Sequence, residues 1–143
     1  MSLPIREQII QALAARVGAV RGLEGFDSQD LPLTVLVEGD DELSGDAQYD
    51  MTPLALPVTI ARAVHVGGLK DDGWYTEANT QLADLIAEAY AGGEDLGGLA
   101  DGIDYAGGSV GVITDGAAGV AVQVNLEIRY AIARGNPYSQ EVT

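Results

Sequence analysis

Cysteine is absent from all 143 residues, which excludes disulfides, thiolate metal centres and a cysteine nucleophile, and leaves the redox compartment open. Histidine occurs once, as His65, so no zincin motif or multi-histidine metal centre can form. The one lysine, Lys70, is followed by Asp71, and no glycine-rich loop ending in Lys-Ser/Thr exists to cradle a nucleotide phosphate. Positive charge is scarce overall. Seven Lys and Arg face 22 Asp and Glu, a net charge of −15. Nucleic acids are held through phosphate neutralisation by basic side chains, so tight DNA or RNA binding is not expected. Long apolar runs are missing too, and Met1–Arg21 lacks the basic-then-apolar order of a secretion signal. The expectation is a soluble cytoplasmic chain that enters no membrane.

What is present is ordinary globular material, 47% hydrophobic and 20% charged, at a length that suits a single domain spanning 1–143. The opening segment predicts a helix, with Ser2 as N-cap and Pro4 in the first turn, where its missing N–H costs nothing. Ile5, Ile9, Leu13 and Val17, with Ile10 and Val20 beside them, make its apolar stripe, and Gly18 or Gly22 ends it. Leu33–Val37 is short, β-branched and bounded by Pro32 and Gly39, which favours a strand. Residues 38–50 carry six acids and no base and predict a loop. A second strand is expected over 58–66, with Val58, Ile60, Val64 and Val66 on one face, Arg62 interrupting it, and Pro57 implying an edge or an irregular start. Gly67-Gly68 then turns the chain.

Helical spacing returns over 71–91 through Trp74, Ala78, Leu82, Leu85, Ile86 and Ala89, with Asp71, Asp72 and Glu77 favourably near the N-terminus. Ten glycines in residues 92–119 then argue for short strands near 103–106 and 110–114, with Asp115-Gly116 as a hairpin turn. The clearest strand is last. From Val120 to Tyr130 the even positions are Val, Val, Val, Leu, Ile and Tyr, while the odd ones are Ala, Gln, Asn, Glu and Arg. One face is buried and the other is wet. The fold class is therefore α+β, a mostly antiparallel sheet with two helices packed on one face.

Catalytic signatures are weak. Gly107-Gly108-Ser109-Val110-Gly111 spells a nucleophile elbow, but that mechanism needs a histidine after the serine, and none follows Ser109. A glycine-rich bend between strands accounts for those letters. His65 falls on the Ala61/Ala63 side of its strand, the place of a partly exposed histidine. The acids Glu38, Asp40, Asp41, Glu42 and Asp46 offer clustered oxygens to Ca²⁺ or Mg²⁺ without EF-hand spacing; a solvated charged loop explains them as well.

An Ile-Arg-Glu-Gln-Ile-Ile-x-Ala-Leu-Ala-Ala-Arg helix comes first, then Leu-Pro and a valine-rich strand, and later an amphipathic helix. A long alternating strand follows and ends in Tyr130-x-x-x-x-Gly135-x-Pro137-Tyr138. In this order the pieces resemble the tail terminator (minor tail protein U) family of long-tailed phages and prophages over most of the chain. The resemblance implies a non-enzymatic virion protein made in the host cytoplasm. Such proteins form a six-membered ring that caps the tail tube, stops tube polymerisation and presents a surface to the head-tail connector. It also implies self-association, with the tube and connector proteins as partners. An acidic lumen lets DNA pass without sticking, and the 38–50 acids suit that lining or, equally, a capping surface that meets the tube. Arg6, Arg16, Arg62 and Arg129 are then scarce cations available to a neighbour's acids, or else to salt bridges within the subunit. No cofactor is expected, and Mg²⁺ would act by screening subunits that repel one another. The glycine content of 92–119 exceeds what an ordered ring contact needs, which points to ordering on assembly. The alternatives are a neighbouring neck or tail-completion protein, and a small acidic divalent-cation-binding module or enzyme in which Asp40, Asp41, Glu42 or Asp46 converge on a pocket.

Overall fold

The computed structural model describes residues 3–22, 32–47, 50–66, 71–113 and 119–141. The expected Ser2 cap, the Gly67-Gly68 turn, Lys70 and the Asp115-Gly116 turn lie outside them. The first helix, α1 (Ile5–Val17), buries Ile5, Ile9, Ile10, Leu13, Ala14 and Val17, and Gly18 closes it at φ 67°. Its start is unusual. Pro4 occupies the N-cap without a side-chain bond, and the Ile5 N–H donates instead to the Pro137 carbonyl at 2.9 Å. The Gly135–Tyr138 ending thus caps the first helix from the far end of the chain, satisfying a donor that a helix start otherwise leaves open. Val20 does not extend the helical stripe. It belongs to a two-residue strand, β1 (Val20–Arg21), and is exposed.

Strand β2 (Leu33–Glu38) follows, then the short β3 (Glu42–Leu43) inside the acidic segment, and β4 (Met51–His65). Helix α2 (Asp71–Tyr90) leads into β5 (Gly102–Ile113) and β6 (Gly119–Ala133). The sheet order is β1-β2-β4-β6-β5, with β3 also on β4, and every pairing is antiparallel except β1 with β2. Even-numbered residues of β4 and β6 (Leu56, Val58, Ile60, Val122, Val124, Leu126, Ile128) share one core with the apolar stripes of α1 and α2. Both helices therefore cover one face, the expected α+β arrangement. On the other face Gln123, Glu127 and Arg129 are exposed.

Two further expectations are corrected. Strand β4 is central and begins at Met51, seven residues before the predicted start, with Pro53 and Pro57 inside it. Both prolines turn their donor-less side toward the β2/β3 margin. There the Pro53 carbonyl accepts from Ser44 N–H at 3.1 Å, and the Pro57 carbonyl accepts from Gly39 N–H at 2.8 Å. Pro57 meets Gly39 just where β2 ends, so no ladder bond to the neighbouring β6 is lost. The second correction concerns the glycine-rich segment. Residues 102–113 form one strand, not two short ones with a bend, and a bulge between Tyr105 and Gly107 absorbs the irregularity. Residues 102–113 of the 92–119 segment are thus paired along their length with β6.

Candidate functional site

The charged residues singled out by sequence divide into an arginine-tied acidic rim and a set of isolated clasps. At the rim, Arg6 projects from the first turn of α1 toward the end of β2. Its guanidinium lies 3.1 Å from Glu38, 3.1 Å from Asp41 and 2.6 Å from the Gly39 carbonyl. Arg21 reaches Glu38 from the other side and also holds Glu7 at 2.6 Å. The Tyr130 hydroxyl, from the buried end of β6, donates to Asp41 Oδ2 at 2.9 Å. One oxygen of Asp41, Oδ1, is buried with no partner.

The electrostatics follow this geometry. Partial burial, the largest influence on Glu38, pushes its carboxyl upward, but hydrogen bonds from Arg21 and Arg6 outweigh it and leave the pKa lowered. Glu7 is lowered by hydrogen bonds from Arg21 first and Gln11 second. Burial, and then the bond to Asp41, push the Tyr130 phenol well above its ordinary range.

The other predicted arginines are also engaged within the chain. Arg16 donates to the Ala89 and Gly93 carbonyls at 2.9 and 2.8 Å, placing a cation at the C-terminal end of α2 where the helix dipole favours it. Arg62 bonds both oxygens of Glu88 at 2.6 and 2.9 Å, Thr34 Oγ1 at 2.8 Å and the Val17 carbonyl at 2.9 Å. It ties sheet, α1 and α2 together. Arg129 holds Asp104 at 2.7 Å on the exposed face. Among the described residues, Arg134 is the arginine whose guanidinium has no intrachain partner. The sequence offered no sign of its isolation, or of the link from Arg21 to Glu7.

Asp40, Glu42 and Asp46 are exposed, whereas Asp41 is drawn inward to Arg6 and Tyr130. The four do not converge, and among the described residues no group of three or more His, Asp or Glu side chains is placed to hold a metal ion. Ser109 lies mid-strand opposite Gln123, not on a strand-to-helix turn, and the exposed His65 pairs with Gly119. Four positions along β6 separate their partners, about 13 Å of strand, so they form no nucleophile–base pair. Among the described residues no helix is long and apolar enough to cross a membrane.

Among the described residues the chain has an α+β fold whose arginines, Arg134 apart, are held by intrachain partners, while Asp40, Glu42 and Asp46 face solvent. No family model matches the chain, and no curated protein matches it. Among solved structures it is similar to a chain of the "Virion of native gene transfer agent (GTA) particle", with 14% identity and a TM-score of 0.42, over 91% of this chain and 95% of that one.

Proposed function

We propose that this chain is a structural virion subunit of the tail terminator type, assembling as a ring that caps a tail tube and offers its other side to a head connector. The ordered resemblance quoted above supports this reading, and so does the role of its ending: Pro137 caps α1, making the Tyr130–Tyr138 segment part of the scaffold. The observation that carries most weight is the distribution of charge. Arg6, Arg16, Arg21, Arg62 and Arg129 are spent on intrachain partners, while Asp40, Glu42 and Asp46 stand exposed on one rim. Such a rim repels phosphate, as the margin of a DNA passage should. Its carboxylates act by their field and need neither a bound metal nor a catalytic geometry.

The test is tube-length control. Purified protein added to polymerising tube protein should produce tubes of bounded length with an extra cap in electron micrographs. Unbounded tubes without a cap would overturn the terminator reading. Binding to the head connector but not to the tube would reassign the chain to a neighbouring neck position.

A further inference from the structure

Strand β5 lies at the margin of the sheet, so one side of its backbone has no neighbouring strand among the described elements. Which groups face outward follows from the ladder. Pro53 and Pro57 carbonyls point to the β2/β3 side, so the even residues of β4 face β6, and the even residues of β6 face β4 in return. The odd residues of β6 therefore face β5, as the acceptance of Asp101 N–H by the Arg129 carbonyl shows. Their β5 partners are Asp104, Gly107, Ser109 and Gly111. The outward groups are then those of Ile103 and Tyr105 before the bulge, and of Gly108, Val110 and Val112 after it.

The two halves of this edge are treated differently. Before the bulge it is blocked: the Tyr90 hydroxyl, from the last residue of α2, donates to the Ile103 carbonyl at 2.9 Å. After the bulge no described strand or hydrogen bond occupies it; the Tyr105 hydroxyl packs against Gly108, and Gly108, Ser109, Val110 and Gly111 remain exposed. Proteins blunt unused strand edges with plugs, charges, prolines or bulges. Here the plug and bulge stop short of six residues, 108–113, that contain neither charge nor proline.

Charge then selects the occupant. No charged residue occurs between Tyr105 and Ile113, or on β6 from Gly119 to Leu126. In a chain carrying −15, this is a neutral stretch of sheet margin. A basic partner would favour the exposed acids of the 40–46 rim. A second copy meets carboxylates on carboxylates there, and escapes that repulsion along β5.

We propose that the open half of β5 is the self-association edge, taking up an extended segment of a second copy of this chain as an added strand. The inference rests on the ring reading in one respect. A copy that paired β5 with β5 about a two-fold axis would close as a dimer, so a ring requires a different segment from the neighbour.

The test uses the full chain and two variants. Val110→Pro removes an outward N–H and no bond to β6. Ser109→Glu adds a like charge at an exposed position and removes no backbone donor, so it remains informative should the proline variant fail to fold. Wild-type mass by light scattering should rise with concentration to a discrete oligomer. Both variants should associate at least tenfold more weakly with unchanged circular dichroism, and the amides of Gly108, Val110 and Val112 should exchange more slowly in the oligomer. Folded variants that associate as tightly as wild type would overturn the assignment and leave the ring reading intact. A wild-type monomer that still bounds tube length would overturn self-association alone. Oligomers that form through β5 yet do not bound tube length would sustain the edge and refute the terminator.

Discussion

Replacing Arg62 by methionine separates a structural clasp from an intersubunit contact. The side chain is 13% exposed and makes four hydrogen bonds to three elements, of which the pair with Glu88 is the most open, that carboxylate being 39% exposed. Methionine retains most of the apolar stem, so the loss is chiefly polar. Hydrogen bonds involving a charged group are worth about 1.5–3 kcal/mol each when buried. Solvent screening cuts the Glu88 contribution to about 1 kcal/mol. The Val17 carbonyl, at the end of α1, loses its partner at about 1–2 kcal/mol more. The expected destabilisation is about 2–3 kcal/mol, which lowers the melting temperature of a chain this size by about 10 °C. Urea unfolding should show a reduced midpoint at constant slope. Glu88→Gln alone should cost about 1 kcal/mol, and the double variant should cost less than the sum, because the sites share one contact. An Arg62→Met protein with wild-type stability but impaired assembly would refute this reasoning and make Arg62 a contact between subunits.

Glu88, held down by its bond to Arg62, joins Glu7 and Glu38 with folded-state pKa values below the ordinary 4.5. Their contribution is complete above that value and disappears as pH falls through the lowered ones, so Arg62→Met should flatten the acid limb of a stability profile. Tyr130→Phe should cost about 1 kcal/mol by removing the bond to Asp41, read by urea unfolding. Because the Tyr130 phenol is raised above its ordinary value of 10.0, the unfolded chain ionises first at high pH; wild-type stability should fall above pH 10, and the phenylalanine variant should fall less. Raising ionic strength from 0.01 to 0.15 M shortens the screening length from about 30 to about 8 Å, so sedimentation should show stronger self-association, with Mg²⁺ acting at lower concentration.

Local periodicity determined much of this molecule. The alternation over 120–130 specifies which face of β6 is buried, whatever its partners. The stripes of α1 and α2 likewise locate both helices and their buried sides, because side-chain direction is set by the period of the backbone itself. Arg62 was visible as the residue breaking an apolar face, and its three partner elements were not. Tertiary structure decided what depends on neighbours. Pro57 read as a sign of an edge or an irregular start until its donor-less side, like that of Pro53, is seen to face a margin that asks nothing of it. The glycines of 102–113 weaken a strand taken alone, and the ladder from β6 makes it continuous. The ties of Arg6 to Glu38 and of Arg16 to Ala89 span 32 and 73 residues. No local pattern encodes such pairings, since they exist only after the sheet has brought distant backbone together. Charge totals and the neutral run over 105–113 were legible from composition, but which carboxylates are tied to arginines, and which strand lies at the sheet margin among the described elements, was settled by folding.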